Sequence, residues 1–201
     1  MNLMGANRVR VESAKEWARS KNATEAFIRN ADYYWKYCAK TGINPVIAYC
    51  QYALETGWGR FGGVIDATYC NPCGLKVTTG GGDKVATAHK RFSSWEEGIN
   101  AHIDHLALYA GAPGFPKTNS SDPRHFPYLK GTAVTVESLQ GKWATDPKYF
   151  TKLNSLITEL VNYGRMNYWW RNSLIRVSFF FWMFSKRVIR YIWNKQIIVY
   201  T

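Results

Sequence analysis

The chain has 201 residues, enough for one well-packed domain with extensions, and its 46% hydrophobic and 20% charged residues exclude a disordered polypeptide. Its formal charge of +12 points toward a polyanion, yet seven basic residues and no acidic one fall between Arg165 and Thr201, leaving about +5 on the first 164 residues. That excess suits an anionic cell wall and makes no case for a nucleic-acid partner.

From the N-terminus, residues 1–9 read as an extension. After Met1 the chain turns polar at Asn7, Arg8 and Arg10 with no long apolar run, so no signal peptide is expected. Val11 to Ser20 and Thr24 to Lys40 carry apolar residues at mixed spacings of three and four (Phe27, Ile28, Ala31, Tyr34, Trp35, Cys38 in the second), predicting two helices. Thr41-Gly42 stops the second. A third helix begins at Asn44-Pro45, where Asn caps free amides and Pro suits the first helical position, and it runs to Gly57. Its core stripe is Val46, Ile47, Cys50, Ala53 and Leu54, while Ala48, Gln51, Tyr52 and Glu55 occupy the other face. Glu55 therefore falls in the last turn, off the core stripe.

Gly57 to Phe92 is glycine-dense and loses the helical period, predicting a loop or short β-hairpin lobe, loosest at Thr78-Thr79-Gly80-Gly81-Gly82-Asp83. Ser94 to Tyr109 resumes as a helix opened by a capping box in which Ser94 and Glu97 satisfy each other's amides, making Glu96 and Glu97 structural. Gly111 to Tyr128, with four prolines, reads as a long surface loop. Asp146-Pro147 opens a last amphipathic helix with core residues Phe150, Leu153, Leu156, Ile157 and Leu160, ending at Gly164. The element order predicts a mainly α main domain over residues 10–164.

Residues 165–201 form a separate basic aromatic tail. From Met166 on it has no Gly, Ala, Pro, Asp or Glu, yet holds four of the nine tryptophans and the triplet Phe179-Phe180-Phe181. Its longest apolar run, Val177 to Phe184, is too short for the ~20 residues of a membrane span. Such a segment suits the surface of an anionic membrane. Its residue usage also matches an out-of-frame reading of AT-rich sequence, and an aberrant, poorly packed tail is the favoured reading.

Glycoside hydrolysis needs a carboxylic acid still protonated near neutral pH, to protonate the leaving oxygen. Glu55 has a suitable setting: a helix C-terminus disfavours its ionised form, and the neighbours Tyr52, Trp58 and Phe61 would desolvate it, so its pKa is expected to be raised. The four cysteines, Cys38, Cys50, Cys70 and Cys73, read as buried or free thiols. Cys70-Asn71-Pro72-Cys73 has the spacing of half a zinc site, but no second pair follows. His102 and His105 could share a helix face, yet no third ligand accompanies them, so no metal is expected.

Four blocks occur in order over most of residues 44–160. They are Ala53-Leu54-Glu55-Thr56-Gly57-Trp58-Gly59-Arg60-Phe61, Asn71-Pro72-Cys73-Gly74-Leu75-Lys76, Phe92-Ser93-Ser94-Trp95-Glu96-Glu97-Gly98-Ile99 and Trp143-Ala144-Thr145-Asp146-Pro147-Lys148-Tyr149. Together they resemble the glucosaminidase domain of glycoside hydrolase family 73. The resemblance implies a lysozyme-like α (α+β) fold that cleaves the β-1,4 bond between N-acetylglucosamine and N-acetylmuramic acid of peptidoglycan glycan strands, without cofactor, with Glu55 as general acid. Many relatives carry a second carboxylate in the lobe after the Asn turn. Here that lobe is short and holds only Asp83, which becomes the candidate base; a substrate 2-acetamido group acting in its place is the alternative. Trp58, Trp143 and Tyr149 are candidate sugar-stacking residues, and Trp143 stands where many relatives show Tyr. Asn71 is a candidate substrate contact that also shapes its turn.

The alternatives are a muramidase cutting the other glycosidic bond and a wall-binding module that has lost turnover. A monomer is expected. Because the substrate lies outside the membrane, the chain is expected to act on the cell wall after release through a phage-type pore, or to derive from a longer exported protein.

Overall fold

Short local signals set the helix boundaries. The computed structural model describes residues 1–166, so the reading of the tail from residue 167 onward lies outside the described residues. Helix α1 (Val11–Ser20) leads into α2 (Glu25–Thr41), where the Thr24 hydroxyl accepts from the Phe27 amide at 3.2 Å and Gly42 closes the far end in the left-handed region. Helix α3 (Pro45–Thr56) opens as read from the sequence: Asn44 accepts from the Val46 amide at 3.0 Å, Pro45 takes the first turn, and Gly57 ends it with φ 56°.

Helix α4 (Trp95–Ala110) is capped by Ser94, which accepts from the Glu97 amide at 3.2 Å. The reciprocal half of the box differs from expectation. Glu97 reaches past Ser94 to accept from the Ser93 amide at 2.8 Å, while Glu96 pairs with Lys36 and accepts from the Tyr37 hydroxyl, tying α4 to α2. Helix α5 spans residues 149–166, starting beyond Asp146-Pro147 and running through Gly164 instead of ending there. At Gly164 the missing side chain makes room: a Cβ would lie 3.1 and 3.2 Å from the two methyls of Val9.

Helix α3 departs furthest from its amphipathic reading. Ala48, Gln51 and Tyr52, assigned to an outer face, are buried as completely as Val46, Ile47 and Cys50, whereas Leu54 is only half-buried. The cause is position: α2 and α4 pack on α3 as well as on each other, and a helix wrapped on most sides needs no polar stripe. The main core joins Trp17, Phe27, Tyr34, Tyr49 and Tyr52 to Leu106, Leu153 and Ile157. A second, smaller cluster of Cys73, Leu75, Phe92 and Ala101 lies under the lobe, and Trp143 packs against both. The first nine residues are built into this unit: Leu3 is fully buried, donating its amide to Val134 and accepting from that of Asn44.

The architecture is therefore mainly α and lysozyme-like. Among the described residues the lobe has no named strand; it is shaped by two 3₁₀ turns (Ala67–Tyr69 and Ala86–Ala88) and an isolated antiparallel bridge between Lys76 and His89. The proline-rich loop 111–128 is pinned to α4. Asp104 holds Lys117 at 2.5 Å and the Ser120 hydroxyl at 2.7 Å, and Asp122 holds the rings of His105 at 2.7 Å and His125 at 3.2 Å. No described helix is long and apolar enough to cross a membrane.

Gly98 seats the lobe on α4. A Cβ there would fall 1.9 Å from the Cys70 carbonyl oxygen and 3.1 Å from its carbon, both backbone atoms with little freedom to move. Gly98→Ala is expected to lower stability by about 1–3 kcal/mol, the usual range for overpacking. A urea midpoint equal to wild type would show that the lobe does not rest on this contact.

Candidate active site

A cleft of about 750 Å³ lies beside the end of α3, lined among others by Phe61, Leu75 and Lys76 of the lobe, by Trp143 and by Glu55. This volume lies within the range of small-ligand sites. Glu55 is carried there by the last turn of α3, and the Gly57-Trp58-Gly59 exit anchors that turn. The Thr56 hydroxyl accepts from the Gly59 amide at 2.9 Å, and the Trp58 carbonyl accepts from the Thr24 amide at 3.1 Å. Gly59 has φ 81°, and a Cβ on it would come within 2.4 Å of the Thr24 hydroxyl, so the motif docks the α3 exit onto the start of α2.

Solvent reaches the Glu55 side chain from the cleft, while protein crowds its carboxyl from behind. The crowding decides its acidity: burial raises the pKa from 4.5 to about 7, against the opposing pull of hydrogen bonds from Tyr149 and Trp143. Both donors reach the same oxygen, Oε1, the Tyr149 hydroxyl at 3.0 Å and the Trp143 indole N–H at 3.2 Å. A carboxyl that keeps a substantial protonated fraction near pH 7 and opens on a cleft can give up a proton there.

Residues 31–162 match the family model described as mannosyl-glycoprotein endo-beta-N-acetylglucosaminidase, the glucosaminidase domain. The chain belongs to the glucosaminidase family. It is also 38% identical over 126 residues to an "Uncharacterized protein" of Borreliella burgdorferi, an alignment covering 63% of this chain and 59% of the relative. The chain thus spans somewhat more than half the length of that relative. No solved structure matches it.

Of the residues singled out in the sequence, the fold brings Glu55, Trp143 and Tyr149 into direct contact. Trp143 is wedged edge-on against His105 at 5.2 Å and tilted against His102 at 5.5 Å, with its N–H turned to Glu55. Tyr149 is buried behind Glu55 and accepts from the Gln51 amide at 2.6 Å. Asn71 lines the cleft, but its side chain is occupied by the backbone. It donates to the Leu75 and Lys90 carbonyls and accepts from the Leu75 amide, each at 2.9 Å, holding the turn that begins the lobe.

Asp83 also borders the cleft. Its side chain is 95% exposed, and the Lys76 ammonium at 2.9 Å holds its carboxyl below the ordinary carboxylate range, so it is ionised. Trp58 is placed elsewhere. Its ring meets Trp17 edge-on at 4.6 Å and Phe27 at 5.7 Å, within the core, and it does not line the cleft. The shell expected to desolvate Glu55 changes accordingly: Tyr52 stacks on Phe27 in the core, and only Phe61 of the three expected neighbours reaches the cleft.

The sequence reading assigned no role at the site to Gln51, His102 or His105 and did not single out Asp122, which holds His105 where that ring packs on Trp143. Gln51 did carry a signal, since it precedes Glu55 by four positions and shares its helix face. His102 and His105 lie three apart on α4 yet diverge, His102 toward Gln51 and Tyr34, His105 toward Asp122. No set of three metal-ligating side chains converges among the described residues. All four cysteines are free thiols; Cys38, Cys50 and Cys73 are buried, and burial pushes each of those thiols up.

Proposed function

We propose that the chain is an endo-β-N-acetylglucosaminidase that cleaves the β-1,4 bond between N-acetylglucosamine and N-acetylmuramic acid in peptidoglycan, acting at the cell wall with Glu55 as general acid. Family membership supports the substrate class. The observation that carries the catalytic reading is the crowded carboxyl of Glu55, with its pKa raised to about 7, on a cleft of about 750 Å³. In this reading Oε2 gives its proton to the leaving glycosidic oxygen, and the resulting carboxylate is held by the donors on Oε1. Trp143 offers an aromatic wall beside the scissile bond, while Tyr149 acts through Glu55.

Asp83 is proposed as the base that activates water, because it is ionised and borders the same cleft. Purified sacculi digested with wild type should yield fragments with N-acetylglucosamine at the new reducing end; N-acetylmuramic acid there would identify a muramidase. Asp83→Asn should slow this release by at least roughly a hundredfold, the scale of a lost general base. Unchanged release would remove Asp83 as the base and favour attack on the anomeric carbon by the substrate's own 2-acetamido group. Binding of sacculi with no release by wild type would leave only a wall-binding module.

A further inference from the structure

A buried line of polar side chains runs from the core to Glu55, and three of its members, Tyr34, His102 and Gln51, have no place in the mechanism above. The Tyr34 hydroxyl lies 2.9 Å from Nδ1 of His102, whose Nε2 lies 3.0 Å from Oε1 of Gln51; the Gln51 amide then donates to the Tyr149 hydroxyl at 2.6 Å, and Tyr149 reaches Oε1 of Glu55 at 3.0 Å. Tyr34, Gln51 and His102 are fully buried, in surroundings of aromatic rings. A polar group in such a place is tolerated only when its hydrogen bonds are made.

The chain has a direction. Because the Gln51 N–H groups face Tyr149, its Oε1 must accept, so His102 carries its proton on Nε2. Nδ1 is then an acceptor and takes the Tyr34 proton. Burial lowers the His102 pKa to about 3, so the ring is neutral and has one proton to place. Because Gln51 meets the Tyr149 hydroxyl with an N–H, Tyr149 has only Glu55 to take its own proton.

We propose that Tyr34, His102 and Gln51 are positioning residues: their one-way chain of hydrogen bonds obliges Tyr149 to donate to Oε1 of Glu55 and so leaves Oε2 as the oxygen bearing the transferable proton. This rests on Glu55 being the acid. The opposite polarity, reached by turning the Gln51 amide over and moving the His102 proton to Nδ1, would let a protonated Glu55 donate inward to Tyr149. Its proton would then face the core. Trp143, which can only donate, reinforces the outward arrangement from the other side of Oε1.

Nitrogen-15 NMR of histidine-labelled protein, with His102 assigned by its loss in His102→Gln, reads the polarity directly. The Nε2–H tautomer is expected at neutral pH; an Nδ1–H tautomer or an imidazolium overturns the proposal. On solubilised glycan strands, His102→Leu should lower kcat about tenfold with KM unchanged, the equivalent of one lost hydrogen bond. His102→Gln, which keeps an amide donor near the Nε2 position, should recover most of that loss. Equal losses in the two variants, or an effect on KM alone, count against it.

If His102→Leu fails to fold, Tyr34→Phe removes only the terminal hydroxyl. It should admit the Nδ1–H tautomer and reduce kcat, and an unchanged spectrum with unchanged kcat overturns the chain. Glu55→Gln run in parallel separates the two ideas. Retained turnover in that variant defeats the acid assignment, whereas its inactivity beside unaffected chain variants defeats this proposal alone.

Discussion

Glu55→Gln is expected to fold, to bind sacculi as wild type does, and to release reducing ends roughly a thousandfold more slowly, within the range for a lost general acid. The substitution is a clean one. The amide oxygen of Gln can still accept from Trp143 and Tyr149, as Oε1 does now, and the amide nitrogen takes the place of the protonated Oε2. What disappears is the transferable proton. Measuring binding and release on the same sacculi separates catalysis from recognition, and release above a tenth of the wild-type rate would remove Glu55 from the acid role.

The second large effect is on pH. A general acid works only while protonated, so kcat/KM should fall about tenfold per pH unit above the Glu55 pKa of about 7. An ordinary carboxyl would begin this decline near its usual 4.5. Stability follows the same proton with a definite sign. The folded pKa is raised, so between 4.5 and about 7 the folded chain holds more protons at Glu55 than the unfolded chain does. The contribution of Glu55 to stability is thus fully present below 4.5 and is lost as pH rises through about 7.

Glu55→Gln removes this linkage. Thermal unfolding of the pair at pH 4 and pH 8 should show the variant gaining on wild type at the higher pH, because it no longer carries a crowded carboxylate. His102, whose pKa folding lowers from 6.5 to about 3, is present in both proteins, so its contribution cancels in the difference along with those of the other shared groups. A gap between the two melting temperatures that is the same at both pH values would contradict a raised Glu55 pKa. An inactive but alkali-stabilised variant is a combination that misfolding does not produce.

Much of this molecule is legible in short stretches of chain. Thr24, Asn44-Pro45 and Ser94 open helices, and Gly42 and Gly57 close them, because a cap is decided within about four residues by one hydrogen bond or one left-handed φ. The same local logic put Glu55 in the last turn of α3, and the four motif blocks pointed to the family. Local logic failed where its assumption of one wet face failed. Helix α3 is enclosed by its neighbours, so Gln51 and Tyr52 went into the core; Gly164 proved to be a contact with Val9, and Trp58 was drawn into the core beside Trp17. Packing alone decided what surrounds Glu55. Trp143 and Tyr149 lie 88 and 94 positions away, and His102 lies 51 positions from its partner Gln51. A carboxyl's acidity depends on how completely such distant groups displace water from it and which of them donate to it, and no spacing along the chain encodes that.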